Sequence, residues 1–178
     1  MKKVKITNRS NGFVGYFIPE INLRRSFGPY ESKEVDADEL QKVMYQSGGQ
    51  ALLDAYFLID DKKLAEEYSP SLAKEPEYWH NKEKLVEIML HGSQNEFLDL
   101  LDFCPKGTLE TIKDLAVSLP LKDTDKMQAI QKKTGLNVYN AIKNKEIDDT
   151  KPAETTGRRV QQAEVVIPPK YRRVEKTD

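Results

Sequence analysis

The side chains best suited to metal binding, acid–base catalysis or nucleophilic attack are few in this sequence: His80, His91 and Cys104. A zinc site or a catalytic pair needs such residues at a spacing that brings several of them together. Neither histidine belongs to a recognised metal-binding motif, and we expect both on the surface. Cys104 precedes Pro105 and has no base beside it, which favours a small buried apolar residue. We therefore predict that the protein is not an enzyme and holds neither metal nor cofactor.

Glycines and paired acids also give no sign of a nucleotide or hydrolytic site. Gly48-Gly49 lacks the spacing of phosphate-binding loops and is expected to end a helix instead. The pairs Asp60-Asp61 and Asp148-Asp149 lie in predicted caps or in the C-terminal tail, where nothing brings them together. With these chemistries set aside, the sequence points to a binding protein.

The C-terminal stretch 146–178 carries the strongest signal for binding. It begins with polar, helix-breaking residues and then combines basic, β-branched and proline residues. A purely solvating tail would lack such apolar residues, and adjacent prolines favour an extended backbone that can lie along a partner. We expect an extended arm whose apolar side chains enter a partner's groove, while its arginines meet carboxylates or packaged DNA. The predicted partner-binding residues are Arg158, Arg159, Val165, Val166, Ile167, Tyr171, Arg172 and Arg173.

A second pattern, at 127–145, offers an alternative function in DNA binding. Two short amphipathic segments flank Thr134-Gly135, as in a helix-turn-helix. The second helix would present Asn137, Tyr139, Asn140 and Lys143 to a DNA groove, although it has few cations for phosphates. The same pattern also fits a tight helical hairpin with a purely structural role. Its packing residues would be Ile130, Leu136, Val138 and Ile142.

The first 35 residues read as short strands. Runs at 4–6, 13–18 and 24–27 are β-branched or aromatic, turn residues separate them, and 33–35 can add a fourth strand. Asp36 to Glu39 has a capping-box pattern that predicts the start of a helix, and 51–59 predicts a short helix running into a strand. An edge strand of so small a sheet could accept an extended arm from another copy.

From residue 60 onward the pattern becomes helical. Helices are predicted to begin after Asp60, Asn81, Ser93, Asp123 and Asn137, and another at Thr108. The expected fold is α+β: a small N-terminal β-meander with short helices, an all-α helical module and an extended C-terminal arm. The predicted boundaries are 1–60 for the α+β unit, 61–145 for the helical module and 146–178 for the arm.

Composition supports a soluble binding protein without general attraction to anionic surfaces. The 178 residues carry a formal net charge of −1, whereas the arm is locally basic. One cysteine excludes an internal disulfide and suits a reducing compartment. The sequence has no apolar run long enough to span a bilayer, so we expect no membrane association and synthesis in a cytoplasm.

Two stretches resemble small structural-module proteins of tailed bacteriophages of Gram-positive and gut bacteria. They are 5–35, which includes Tyr16-Phe17-Ile18-Pro19-Glu20, and 100–138, which includes Leu100 to Gly107 and Lys133 to Val138. The resemblance covers about residues 4–145 and carries no catalytic motif. It implies a virion protein made in the host cytoplasm, whose size suits capsid decoration, a minor capsid role or a connector accessory. The implied partners are capsid, portal or tail subunits and copies of itself. A protein that inhibits a host enzyme by inserting its arm is a further alternative.

Overall fold

The computed structural model describes residues 2–150, and within them the predicted α+β class is confirmed. Five short strands and three helices form an N-terminal unit, which five further helices follow. Two single turns of 3₁₀-helix, at Pro19–Ile21 and Pro76–Trp79, complete the described part of the chain. The strands are β1 (Lys3–Asn8), β2 (Val14–Ile18), β3 (Leu23–Phe27), β4 (Ser32–Asp36) and β5 (Phe57–Ile59). The helices are α1 (Ala37–Tyr45), α2 (Gly49–Tyr56), α3 (Lys62–Tyr68), α4 (Lys82–His91), α5 (Gln94–Phe103), α6 (Lys106–Ser118), α7 (Thr124–Thr134) and α8 (Val138–Thr150).

The strand order differs from the simple meander that we expected. β1 lies at the centre of a three-stranded antiparallel sheet, with β4 on one side and β5 on the other. β2 and β3 form a separate two-stranded hairpin. Val4 and Ile6 of β1 are buried, whereas Lys3 and Lys5 are exposed, which is the alternation of a strand with one face on the core. Both partners of β1 therefore come from segments that lie later in the chain, β4 and β5.

The first hydrophobic core is built by these strands, α1 to α3 and the segment that leads to Tyr78. Phe27 and Phe57 meet edge to face, with ring centroids 4.9 Å apart. α1 buries Leu40 and Val43 as its periodicity predicts. Gly48, at φ 77°, then separates α1 from α2, a conformation that favours glycine.

The second core joins α4 to α8, and most of its helices begin where their capping residues predict. The side chains of Asn81, Ser93 and Asp123 each accept a backbone N–H in the first turn of the following helix. α3 is capped by Asp61 rather than by Asp60, and α6 begins at Lys106, two residues before the predicted start. The largest buried side chains of this core are Ile88, Met89, Phe97 and Leu100.

α8 is longer than the sequence suggested. It continues to Thr150, so residues 146–150, expected to begin an extended arm, are helical. The eight partner-binding residues predicted from Arg158 to Arg173 lie outside the described residues. Within residues 2–150, no helix is long and apolar enough to cross a membrane.

Candidate functional site

The candidate site is an apolar groove at the surface of the α7–α8 pair. Its volume is about 580 Å³, and Pro120 and Leu121 from the chain before α7 contribute to its lining. Met127 of α7 and Tyr139 and Ile142 of α8 line it, as does buried Val138. Polar side chains, including Gln128, Gln131 and Glu146, mark its rim. A groove with an apolar wall and a polar rim suits a chain segment with apolar side chains.

Local sequence fixes the turn that sets α8 against α7. Gly135 has φ 77° and ends α7 in the left-handed conformation. Thr134 Oγ1 accepts the N–H of Leu136 at 3.2 Å and donates to the carbonyl of Ile130 at 2.8 Å. Asn137 Oδ1 then accepts the N–H of Asn140 at 3.0 Å and so caps α8. The predicted two-helix arrangement around Thr134-Gly135 is therefore confirmed.

The structure brings the four residues of the DNA-binding alternative to one end of α8. Tyr139, Asn140 and Lys143 are exposed, and Tyr139 leaves 55% of its surface accessible. Lys143 Nζ lies 4.5 Å from the centroid of the Tyr139 ring. Hydrogen bonding with the Tyr139 side chain raises the pKa of Lys143. Asn137 is half-buried, and its oxygen is already used in the helix cap. Of these four residues, Asn137 and Tyr139 also line the groove.

The predicted packing residues of the helical hairpin also have this role. Ile130 and Val138 are buried in the second core, and Leu136 and Ile142 pack against it. Ile142 serves two purposes, because it also lines the groove. The helical hairpin can therefore pack against the second core and still leave one face of α8 exposed for binding.

Lys126 is a core-facing cation that we did not predict. Its side chain is 3% exposed, and Nζ donates to the carbonyls of Ile88, Met89 and Gly92 at 3.0, 3.0 and 2.7 Å. These groups belong to the C-terminal end of α4, where carbonyls lack helical partners and attract positive charge. The signal was available in the sequence, since Lys126 lies four residues before buried Ile130 and hence on the same face.

The histidines and the cysteine occupy separate environments. His91 is exposed at the end of α4, whereas His80 is half-buried and its burial lowers its pKa. Cys104 is partly buried, and this burial raises the pKa of its thiol to about 12. Within residues 2–150, no three His, Cys, Asp or Glu side chains are grouped so that they could hold a metal ion.

No protein-family model, curated protein or solved structure matches this chain.

Proposed function

We propose that this chain is a non-enzymatic structural and assembly protein of a phage virion, associated with the head. In this proposal it docks through its C-terminal arm on capsid, portal or tail subunits, and copies of the chain can also contact one another. The observation that carries the binding role is the groove beside Tyr139, on the helix that leads into the arm. The virion assignment rests on the resemblance of residues 4–145.

Burial of the groove would provide the driving force for an interaction with another subunit. Tyr139 and Ile142 present apolar surface to it, and each square ångström of such surface removed from water contributes about 25 cal/mol. The segment Val165-Val166-Ile167 of a neighbouring copy has the apolar chemistry that this groove accepts. Repetition of such a contact over many subunits supplies avidity, even where each contact is weak.

Charged residues near the groove and in the arm also bear on how a neighbouring copy would bind. The charged residues that line the groove are Glu146 and Lys122, and Asp149 adds a carboxylate near the end of α8. The arm has arginine pairs at 158–159 and 172–173, on both sides of its apolar segment. Opposite charges at the edges of an apolar contact favour one register and increase the rate of encounter.

The test is a pull-down from phage-producing cells with mass-spectrometric identification of bound subunits. Full-length protein is compared with a 1–150 truncation, which keeps α8 whole, and with Tyr139→Ala. We expect capsid, portal or tail subunits with the full-length chain, and their loss with the truncation. Tyr45→Ala is the matched control, because Tyr45 is 76% exposed on α1, outside the residues that line the groove. Capture of a host enzyme alone, or of no virion subunit, would overturn the proposal.

The exposed face of α8 supports DNA binding as a second candidate. Tyr139, Asn140 and Lys143 lie together near its N-terminal end, where a recognition helix makes its base contacts. Two lysines of α7 are already engaged: Lys126 is buried against the C-terminal end of α4, and Lys133 pairs with Asp102 at 2.8 Å. Few cations therefore remain for phosphate contacts, which is why we rank this function second.

A further inference from the structure

Arg9 is a buried cation at the junction of the N-terminal unit and the helical module. Arg9 is 8% exposed, and its guanidinium carbon lies 4.4 Å from the centroid of the Tyr78 ring. Nη1 donates to the carbonyl of Tyr78 and Nη2 to that of Phe57, both at 3.0 Å. Nε is buried without a hydrogen-bond partner, and none of the ion pairs within residues 2–150 involves Arg9. Buried charges are ordinarily paired, whereas Arg9 has only carbonyl and aromatic partners among the described residues.

The backbone around Arg9 holds this cation in place. Its own carbonyl accepts the hydroxyl of Thr111 at 2.8 Å, which ties the end of β1 to α6. Gly107 allows α6 to approach closely, because a β-carbon there would lie 3.1 Å from Arg9 Cγ and 2.9 Å from the carbonyl oxygen of Ala55. Burial lowers the pKa of Arg9 to about 10, so the side chain remains charged at neutral pH.

Arg9 lines a cavity of about 210 Å³ together with two more side chains whose polar atoms lack partners. The hydroxyl of Tyr30 and Nδ1 of His80 are both buried, and neither forms a hydrogen bond within the described residues. Thr108, itself buried, lies on the same wall. Most buried polar atoms in proteins are satisfied, and three orphans around one cavity suggest that a guest satisfies them.

The hydrogen-bond donors around the cavity indicate which kind of ligand would fit it. Arg9 Nε–H and the Tyr30 hydroxyl can donate, and His80 Nδ1 can do so in one tautomer. The N-terminal end of α4 adds to this, because Lys82 and Glu83 line the cavity and the first N–H groups of a helix have no helical acceptor. Lys82 lies nearby with Nζ 4.4 Å from the centroid of the Tyr30 ring, and Glu83 supplies the opposing negative charge. A guest with several acceptors and a negative charge fits this set better than water does.

We propose that this cavity binds a small oxyanion, either phosphate or a compact carboxylate, between Arg9, Tyr30, His80 and the start of α4. The bound anion would supply a counter-charge to Arg9. It would also join the two units, since Arg9 and Tyr30 belong to the first and His80 and α4 to the second. This site is independent of the arm and of the groove beside Tyr139.

Isothermal titration of the full-length protein with inorganic phosphate, and separately with acetate, tests the proposal. Sodium chloride at matched ionic strength controls for general screening. We expect saturable binding of at least one of the two oxyanions, and binding weaker by about three- to tenfold in Tyr30→Phe and in His80→Ala, since each loses one hydrogen bond. Both variants leave intact the hydrogen bonds of Arg9 to the carbonyls of Tyr78 and Phe57.

Tyr56→Phe is the matched control, because it removes a hydroxyl outside the cavity that lies 3.4 Å from Glu110. Its affinity for the anion should equal that of the parent. Absence of binding by both anions would overturn the proposal, as would equal affinity in Tyr30→Phe, His80→Ala and the control. A crystal structure grown with phosphate that contained only ordered water beside Arg9 would also overturn it.

Discussion

Arg25 holds the carboxylate of Glu39 with two nearly parallel bonds, Nε to Oε1 at 2.8 Å and Nη2 to Oε2 at 2.9 Å. Tyr16 donates its hydroxyl to the same Oε1 at 2.6 Å. Glu39 is 5% exposed, and these contacts join the β2–β3 hairpin to α1. Bidentate pairing of this kind fixes orientation as well as distance. Within residues 2–150 the hairpin pairs with no further strand. This polar network therefore attaches it to the first core, together with buried Ile18 and Phe27.

Glu39→Gln should destabilise the protein by about 1–3 kcal/mol, because it weakens a buried charge pair whose arginine is partly accessible to solvent. The measurement is the free energy of unfolding in urea. Glu34→Gln on β4 is the control, since Glu34 is exposed and its replacement should change stability by no more than about 0.5 kcal/mol. Equal values for the two variants would contradict a stabilising role for the network.

The same carboxylate should make stability depend on acid pH. Burial raises the pKa of Glu39, but hydrogen bonds from Arg25 and Tyr16 outweigh burial and lower it below the ordinary value. A lowered pKa contributes stability that is present above the unfolded value of about 4.3 and is lost as pH falls through the folded value. We therefore expect stability to fall below about pH 4.3 more steeply in the parent than in Glu39→Gln. Parallel profiles from pH 6 to pH 2.5 would show that another group is responsible.

Lys126→Met should cost about 2–3 kcal/mol of stability, because three carbonyls at the end of α4 lose the ammonium that satisfies them. Chemical denaturation measures this difference. Lys132→Met, on an exposed position of the same helix, should lie within about 0.5 kcal/mol of the parent. A stable Lys126→Met protein would mean that water can replace the lysine at these carbonyls.

Cys104 should react slowly with iodoacetamide in the folded protein. Burial raises the pKa of its thiol to about 12, so at pH 8 the thiolate fraction lies far below that of a free cysteine with a pKa of about 8.5. We expect alkylation at least about a hundredfold slower than in the same protein unfolded in urea. Mass spectrometry of timed samples gives both rates, and comparable rates would place the thiol in a solvated environment.

If DNA binding is the function of the α8 face, affinity should fall steeply with salt. A logarithmic plot of the binding constant against salt concentration then has a negative slope set by the number of phosphates contacted. Tyr139→Ala and Asn140→Ala should weaken binding without a loss of stability, because both side chains are exposed. Fluorescence anisotropy with duplex DNA measures this. Binding that is absent at low salt, or that is unaffected by both changes, eliminates the alternative.

Local signals in the sequence predicted much of the fold. Asn81, Ser93 and Asp123 fix helix starts within a few residues of themselves, so their positions could be read directly. The capping box at Asp36 to Glu39 was wrong in its detail, because the Asp36 side chain makes no cap bond and Glu39 turns to Arg25 instead. A tertiary partner from another strand thus overrides a local pattern.

Strand order and the burial of Arg9 lay beyond local reasoning. β1 pairs with β4 and β5 through segments far along the chain, which no short window of sequence reveals. Arg9 lies within the turn-like run at 8–12, and its burial depends on Tyr78 and on the close approach of α6. Tyr139 was predicted as a contact residue, but the groove that it lines requires the chain at 120–122 as well. A short window of sequence does not show which distant segments of the chain come together in the fold.

The central position of β1 has a consequence for the order in which the chain can fold during synthesis. Ile6 lies opposite Ile59, and the carbonyl of Arg9 accepts a hydrogen bond from Thr111. β1 leaves the ribosome before its partners, so its sheet can be completed only after residue 59 has emerged, and its end can be fixed against α6 only after residue 111 has emerged. We expect arrested nascent chains that end before α2 to be sensitive to protease, and protection to begin only once β5 has emerged.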